Sequence, residues 1–248
     1  MVSKITYKLE NIPVWDALEK DSECFLCDLA KEAEKDGLKF YLGSSVMNPE
    51  TRVRVNEYGF CPRHFTLLEK GNPQGLALMC DTYLEQSRNG MQTAFDHLLR
   101  SKPGRKTSQS IAEISRIVAQ REKGCLVCNT IEERSNRYLY TVAALWVQDQ
   151  NFRDALKKSK GFCLYHFTQL LEMADKALNS SDCHAFVKEM TELEMNNLER
   201  IQKDVYWMTQ KYKSENSDKD WNGCEDAQKR SVLKLVGSCR PLDPIKVK

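Results

Sequence analysis

Two cysteine-containing motifs recur in the same order along this chain of 248 residues. The first half contains "CFLC" and then "GFCPRHF", and the second half contains "CLVC" and then "GFCLYHF". The two cysteines of the first motif recur 101 positions later, and the Cys and His of the second motif recur 102 positions later. Because four positions keep one register, we interpret the chain as an internal duplication.

The residue types in both motifs are those that bind metal ions. Cys-x-x-Cys and Cys-x-x-His each place two donors three positions apart, either across a tight turn or on one face of a helix start. Three thiolates and one imidazole form a closed tetrahedral shell of the kind that structural zinc uses. The sequence therefore predicts one Cys3His site in each repeat, formed by Cys24, Cys27, Cys61 and His64 and by Cys125, Cys128, Cys163 and His166.

The metal expected from this donor set is zinc, two ions per chain. A [4Fe–4S] cluster at the same ligands stays open as an alternative, because thiolates are its usual ligands. The two motifs of a repeat are separated by 33 residues in the first half and 34 in the second. That gap is longer than in small nucleic-acid-binding fingers and has room for a helix. We therefore expect each metal to clamp two helix starts together.

The start of one of these helices can be predicted from the residue after Cys61. Proline is favoured at the first position of a helix, so Pro62 suggests that Cys61 caps a helix whose next turn presents His64. A cysteine at a helix start lies near unpaired N–H groups and the positive end of the helix dipole, which favour the thiolate.

The fold class follows from apolar periodicity and a scarcity of helix breakers. The chain has 11 Gly and 7 Pro. Helical stripes with core-packing character follow both Cys-x-x-His motifs, and no alternating pattern indicates several strands. Thr51–Phe60 is the best candidate for a strand, or for an extended loop. We predict an all-α fold with two duplicated helical lobes, each with a metal site that clamps helix N-termini, and a C-terminal helical tail.

The domain organisation is expected to follow the repeats. We predict a first helical metal-binding repeat at 1–100, a linker at 101–110 and a second repeat at 111–213. The linker contains Pro, Gly, Ser and basic residues and has no apolar period. The last region, 214–248, is expected to form a polar loop, a short helix near Glu225–Val236 and a tail.

Other cysteines and histidines fit the metal pattern less well. Cys80 and Cys183 occupy near-equivalent places in the two halves and are expected to be core residues, with a redox role as the alternative. Cys224 and Cys239 have no metal-site spacing, and either could be a reactive thiol. His97 and His184 are lone helical histidines.

An enzymatic role would need an open coordination position and a general base, and no base can be nominated, so we favour a role without catalysis.

Charge and hydropathy limit the classes of partner. The net charge of +2 gives no overall field toward nucleic acid or a membrane surface. No stretch reaches the roughly 18 apolar residues of a membrane span, and the N-terminus has no signal-peptide core. Ten cysteines without an export signal favour a cytoplasmic metalloprotein over a disulfide-bonded one.

The motifs also support a resemblance. "CFLC", "VNEYGFCPRHF", "CLVC", "GFCLYHF" and "DWNGCEDAQKRSVLKLVG" together resemble an uncharacterised bacterial family, found largely in anaerobic Gram-positive organisms. The resemblance covers nearly the whole chain. It implies a cytosolic location and a duplicated thiol–imidazole motif, and it supplies no activity.

Three functional hypotheses result from the sequence. In the first, two structural zinc sites hold helices so that they present a surface to a protein partner, as an interaction or regulatory scaffold. In the second, the same ligands carry [4Fe–4S] clusters or releasable zinc in a redox or metal-sensing protein. A nucleic-acid-associated zinc protein is a further alternative, which the nearly neutral charge does not favour.

Overall fold

The computed structural model describes residues 5–121 and 124–238. These residues form eleven α-helices and two short 3-10 turns, and they contain no strand. The all-α prediction is confirmed. None of the helices in this part of the chain is long and apolar enough to cross a lipid bilayer.

The helices divide between two compact units. We name these the terminal unit, which comprises Met1–Glu32 and Glu133–Lys248, and the central unit, which comprises Ala33–Glu132. The unit boundaries fall inside α2 and α7. In chain order the eleven helices are α1 (Asn11–Leu18), α2 (Phe25–Leu42), α3 (Pro49–Tyr58), α4 (Pro62–Leu68), α5 (Pro73–Leu99), α6 (Arg105–Arg121), α7 (Leu126–Gln148), α8 (Gln150–Lys157), α9 (Leu164–Ala177), α10 (Ser180–Lys211) and α11 (Ala227–Val236).

Aromatic side chains fill the core of the terminal unit. Trp15 packs edge-on against Phe152 with ring centroids 5.2 Å apart, and Phe25 packs against Phe162 at 5.4 Å. Phe152, Phe162 and Phe186 are fully buried. Rings of this size remove large apolar areas from water, so they hold α1 against α8 and the start of α2 against the turn before α9.

In the central unit, a chain of rings joins α2, α4 and α5. Tyr41 packs edge-on against Phe60 at 5.1 Å, Phe60 against Phe65 at 5.4 Å, and Phe65 against Tyr83 at 6.1 Å. Phe60 precedes Cys61, so this ring chain fixes the backbone that leads into the second motif.

The proposed strand at Thr51–Phe60 is wrong, and so is the extended-loop alternative, because α3 includes this segment up to Tyr58 and only Gly59 and Phe60 follow the helix. Pro49 occupies the first turn, and the Asn48 side chain accepts a hydrogen bond from the Glu50 N–H. Thr51 and Val55 are buried four positions apart on one face. Local β propensity therefore yields to a capped helix start and to tertiary burial.

The predicted linker and tail differ from the structure at their boundaries. Helix α6 already begins at Arg105, so the non-helical part of the predicted linker 101–110 ends at Gly104, where φ is +109°. Helix α6 packs along α5, which gives its apolar face a partner.

The predicted short helix near the C-terminus is confirmed as α11. The two repeats, 1–100 and 111–213, stay a prediction about the origin of the chain, since the compact units divide it differently.

Candidate metal centres

The structure gathers the eight cysteine and histidine residues of the two motifs into two groups, but each group combines both halves of the chain. In each group the four ligand atoms all lie within 4.8 Å of one another. The first centre consists of Cys24, Cys27, Cys163 and His166, and the second centre consists of Cys61, His64, Cys125 and Cys128. The predicted pairing within each repeat is therefore wrong, because the Cys-x-x-Cys of one half joins the Cys-x-x-His of the other.

Helix length explains the exchange. Helix α2 begins directly after Cys24 and has 18 residues, so it carries the chain about 27 Å away before the turn that leads toward Cys61. Helix α7 begins directly after Cys125 and has 23 residues, about 35 Å. Each long helix thus separates its own Cys-x-x-Cys from the Cys-x-x-His that follows it in the sequence.

All four ligands of the first centre lie in the terminal unit and are buried, with exposed fractions of 3% or less. The Nδ1 atom of His166 is 3.4 Å from the Sγ atoms of Cys24, Cys27 and Cys163. The Sγ atoms of Cys27 and Cys163 are 3.7 Å apart. The imidazole therefore directs Nδ1, and not Nε2, toward the three sulfur atoms.

The second centre lies in the central unit and has the same arrangement. The Nδ1 atom of His64 is 3.2 Å from the Sγ atoms of Cys61 and Cys125, and 3.4 Å from that of Cys128. The Sγ atoms of Cys61 and Cys128 are 3.9 Å apart. Cys125 and His64 are buried, whereas Cys61 and Cys128 are partly exposed.

Every ligand pair lies at a helix start. Cys61 and Cys163 are the N-cap residues of α4 and α9, as the sequence predicted for Cys61. Their histidines follow in the first turn, and the Cys163 sulfur accepts a hydrogen bond from the His166 N–H at 3.5 Å. The N–H groups of a helix start and its dipole favour negative charge at the ligand atoms.

The glycine of each "GFC" motif permits the turn before the helix. Gly59 and Gly161 have φ values of +61° and +71°, in the left-handed region that favours glycine. The Gly59 carbonyl accepts a hydrogen bond from the Leu126 N–H, which lies between Cys125 and Cys128 in the chain. A Cβ atom at position 161 would lie 2.7 Å from the Glu194 carboxylate. The glycines therefore belong to the architecture that brings the motifs together.

Electrostatics within the centres favour a bound cation. Burial raises the pKa of the Cys24 thiol well above its ordinary value, and hydrogen bonds with Cys163 and Cys27 raise it further. Burial opposes protonation of His166, but hydrogen bonds with the Cys163 and Cys27 sulfurs raise its pKa to about 9. Thiols this close can all ionise only when a positive charge balances them.

The thiols of the second centre share protons unequally. A hydrogen bond from the Cys128 thiol lowers the pKa of Cys125 to about 3, although burial opposes this shift. The same hydrogen bond, together with burial, raises the pKa of Cys128. Two adjacent thiols with opposite shifts retain one proton between them, and a divalent cation would displace that proton.

A carboxylate that sequence reasoning missed lies behind the second centre. Glu34 on α2 is 3.0 Å from the Nε2 atom of His64 and accepts two hydrogen bonds from Arg63, at 2.8 and 3.1 Å. Because Nδ1 points to the sulfurs, Nε2 carries the proton and donates to Glu34. A carboxylate in this position fixes the ring and makes the imidazole a better ligand. No motif marks Glu34, which lies seven residues after Cys27.

Helix α11 covers the first centre. Gly237 ends this helix with φ at +74°, and a Cβ atom there would lie 3.1 Å from the Cys163 sulfur and 3.4 Å from the Cys27 sulfur. The Ser238 N–H donates to the Cys27 sulfur at 3.4 Å. The C-terminal tail, which has no counterpart in the first half, thus closes one centre.

A buried charge cluster holds α11 in place. The Lys234 ammonium is 1% exposed and donates to the carbonyl oxygens of Glu23 and Lys160, at 3.0 and 2.6 Å. Those carbonyls precede the Cys-x-x-Cys and the Cys-x-x-His of the first centre, so a single side chain connects both ligand turns. The Glu194 carboxylate, 2% exposed, lies 3.9 Å from Lys234 and accepts the Phe162 N–H at 2.9 Å.

The remaining cysteines and histidines lie outside the two groups among the described residues. Cys80 and Cys183 are partly exposed, and burial raises the pKa of Cys80. Cys224 is buried, and Cys239 lies outside the described residues. His97 lies 3.7 Å from Glu113 on the surface.

Comparison with known protein families assigns the chain to one of them. The model of one family, described as a family of unknown function (DUF6062), matches residues 5–241. The chain belongs to DUF6062. No curated protein and no solved structure matches it significantly. Membership in DUF6062 confirms the resemblance to an uncharacterised family over nearly the whole chain, whereas an origin in anaerobic Gram-positive bacteria stays a prediction.

Proposed function

We propose that this DUF6062 protein binds two zinc ions, one in each Cys3His centre, and that both ions are structural. The observation that carries the proposal is the spacing of the ligand atoms. A zinc ion about 2.3 Å from sulfur and about 2.0 Å from nitrogen, at tetrahedral angles, places two sulfurs about 3.8 Å apart and sulfur and nitrogen about 3.5 Å apart. The sulfur–sulfur distance is 3.7 Å between Cys27 and Cys163 and 3.9 Å between Cys61 and Cys128, and the sulfur–nitrogen distances are 3.2 to 3.4 Å.

The chemistry of the donors supports zinc and a structural role. Three thiolates and one imidazole complete the four-coordinate shell that structural zinc prefers, with no position left for water or substrate. The spacing argues against the [4Fe–4S] alternative. Each ligand of such a cluster binds a different iron atom, so the four ligands surround a larger volume than a single ion fills.

The work of each ion would be to hold two helix starts together. In the first centre these are the starts of α2 and α9, and in the second those of α4 and α7. Binding energy at such a site is folding energy, because an unfolded chain does not hold the four donors together. We further propose that the helices held in this way serve a protein partner as an interaction or regulatory scaffold. The proposed location is the cytoplasm, where zinc-bound thiolates would stay reduced.

Metal analysis tests this proposal. Protein purified without oxygen should contain about two zinc ions per chain and show no visible absorption. A broad charge-transfer band that bleaches on reduction would show that the centres hold an iron–sulfur cluster and not zinc. A folded protein without bound metal, unable to take up zinc, would contradict the proposal.

A further inference from the structure

The two centres differ in how far their cysteine residues are shielded from solvent. In the first centre, Cys24, Cys27 and Cys163 are 0%, 1% and 0% exposed. In the second centre, Cys125 is 5% exposed, while Cys61 and Cys128 are both partly exposed. The same donor set thus occurs once in a closed environment and once in an open one within a single chain.

The residues that shield the first centre from solvent lie directly against its sulfur atoms. Gly237 lies against the Cys163 and Cys27 sulfurs, and the Ser238 N–H donates to the Cys27 sulfur. A thiolate that accepts N–H hydrogen bonds and is covered by backbone is a poor nucleophile, because its charge is dispersed and its lone pairs are out of reach. Helix α11 supplies this cover to the first centre.

The two partly exposed cysteines of the second centre are also neighbours. The Sγ atoms of Cys61 and Cys128 are 3.9 Å apart, although the two residues are 67 positions apart in the chain. Reactivity of thiolates follows their accessibility and the presence of a second thiol that can complete a disulfide. Both conditions hold for this pair.

On the basis of the zinc sites proposed above, we infer that the second centre is a peroxide-reactive site that forms a Cys61–Cys128 disulfide and releases its zinc ion, while the first centre stays intact. The substrate class is a small peroxide, such as hydrogen peroxide. The protein would in this way respond to peroxide in the central unit, while the first centre keeps the fold of the terminal unit.

The chemistry balances with peroxide as the only oxidant. One thiolate attacks a peroxide oxygen, the O–O bond breaks, and a sulfenic acid and hydroxide form. The second thiolate attacks the sulfenic sulfur, an S–S bond forms, and a second hydroxide leaves. The two sulfurs lose two electrons, the peroxide gains them, and two protons from solvent convert both hydroxides to water.

Loss of zinc follows from the ligand count. After the disulfide forms, only Cys125 and His64 remain as donors in the second centre. Two ligands hold zinc far more weakly than four, so the ion passes to solvent or to a competing chelator. The disulfide can be reversed by a thiol reductant, which would restore the four donors.

The experiment uses the full-length protein with its zinc content measured first. Hydrogen peroxide is added in the presence of a zinc-sensitive dye, and disulfides are located by peptide mass spectrometry. We expect about one of two zinc ions to be released, on the order of tenfold faster than the other, with a Cys61–Cys128 disulfide as the product. A reductant with added zinc should return the protein to two ions per chain.

Three outcomes would overturn the inference. These are release of both ions at one rate, release of neither, and oxidation that appears first at Cys24, Cys27 or Cys163. A matched variant, Cys80→Ser with Cys183→Ser, removes the two cysteines outside the centres that are partly exposed among residues 5–121 and 124–238, and it should keep the same release. Loss of release in that variant would assign the reaction to those thiols. A protein without two zinc ions at the outset would instead refute the proposed function, so the two failures are distinguishable.

Discussion

The Sγ atoms of Cys27 and Cys163 lie 3.7 Å apart, although the two residues are 136 positions apart in the chain. Cys61, the next motif cysteine after Cys27, belongs to the other centre. Each half of the chain therefore contributes ligands to both centres. Bringing such distant ligands together costs more chain entropy than a site within one repeat would, because it closes a larger loop.

Glu34 should control the affinity of the second centre and leave the first unchanged. Glu34→Gln keeps the size of the side chain but removes the charge that His64 Nε2 faces. Loss of such a carboxylate typically weakens metal binding about 10- to 100-fold. Competition with a chelator should show this loss for one of the two ions. Equal affinities in the variant and the parent would show that Glu34 does not orient the imidazole.

Lys234 should be essential for the packing of α11. Lys234→Met leaves the buried Glu194 carboxylate without its nearest cation, and removing one partner of a buried ion pair costs about 3–5 kcal/mol. Urea unfolding of the zinc-loaded protein measures this change. The double variant Lys234→Met with Glu194→Gln should recover part of the lost stability. A double variant less stable than Lys234→Met would mean that the two charges are not coupled.

Glu189 should make the stability of the terminal unit depend on pH. Burial opposes ionisation of this carboxyl, but the hydrogen bonds that it accepts from Arg153 at 2.7 Å and from Trp146 at 2.6 Å lower its pKa below the ordinary value. The stabilisation that the Glu189 carboxylate provides is therefore fully present at pH values above the unfolded pKa of about 4.5. It is lost as the pH falls through the lower pKa of the folded state.

The variant Glu189→Gln isolates this effect. We expect it to cost about 1–3 kcal/mol at pH 7, because hydrogen bonds to a charged group are lost. The difference between parent and variant, measured by urea unfolding, should shrink as the pH falls below about 4.5. A difference that stays constant between pH 7 and pH 3 would contradict the role assigned to the carboxylate.

The sequence predicts the fold class and the motif residues because both rest on local patterns. The spacing of Cys61 and His64 is readable in seven letters, and Pro62 marks the helix start between them. Two repeats in register, however, do not show whether the Cys-x-x-Cys of one half forms a centre with the Cys-x-x-His of the same half or of the other half. The lengths of α2 and α7 decide the pairing, and they depend on where each helix ends in the folded chain.

Other features escape sequence reading because their importance arises only from tertiary contacts. Glu34 and Lys234 occupy helices rich in charged residues, where a solvated position is the usual expectation. Helix α3 contains β-branched residues that suggest a strand, and its burial against α5 overrides that preference. In each case the deciding contact joins residues that are distant in the sequence.

The exchange of ligands between the two halves is tested most directly by zinc stoichiometry in paired cysteine variants. Cys27→Ser and Cys163→Ser should each lose one zinc ion, and the double variant should lose that same single ion, because both residues belong to one centre. Cys27→Ser combined with Cys61→Ser should lose both ions. If instead Cys27→Ser with Cys61→Ser retained one ion, and Cys27→Ser with Cys163→Ser lost both, each repeat would hold its own metal and the crossed centres would be wrong.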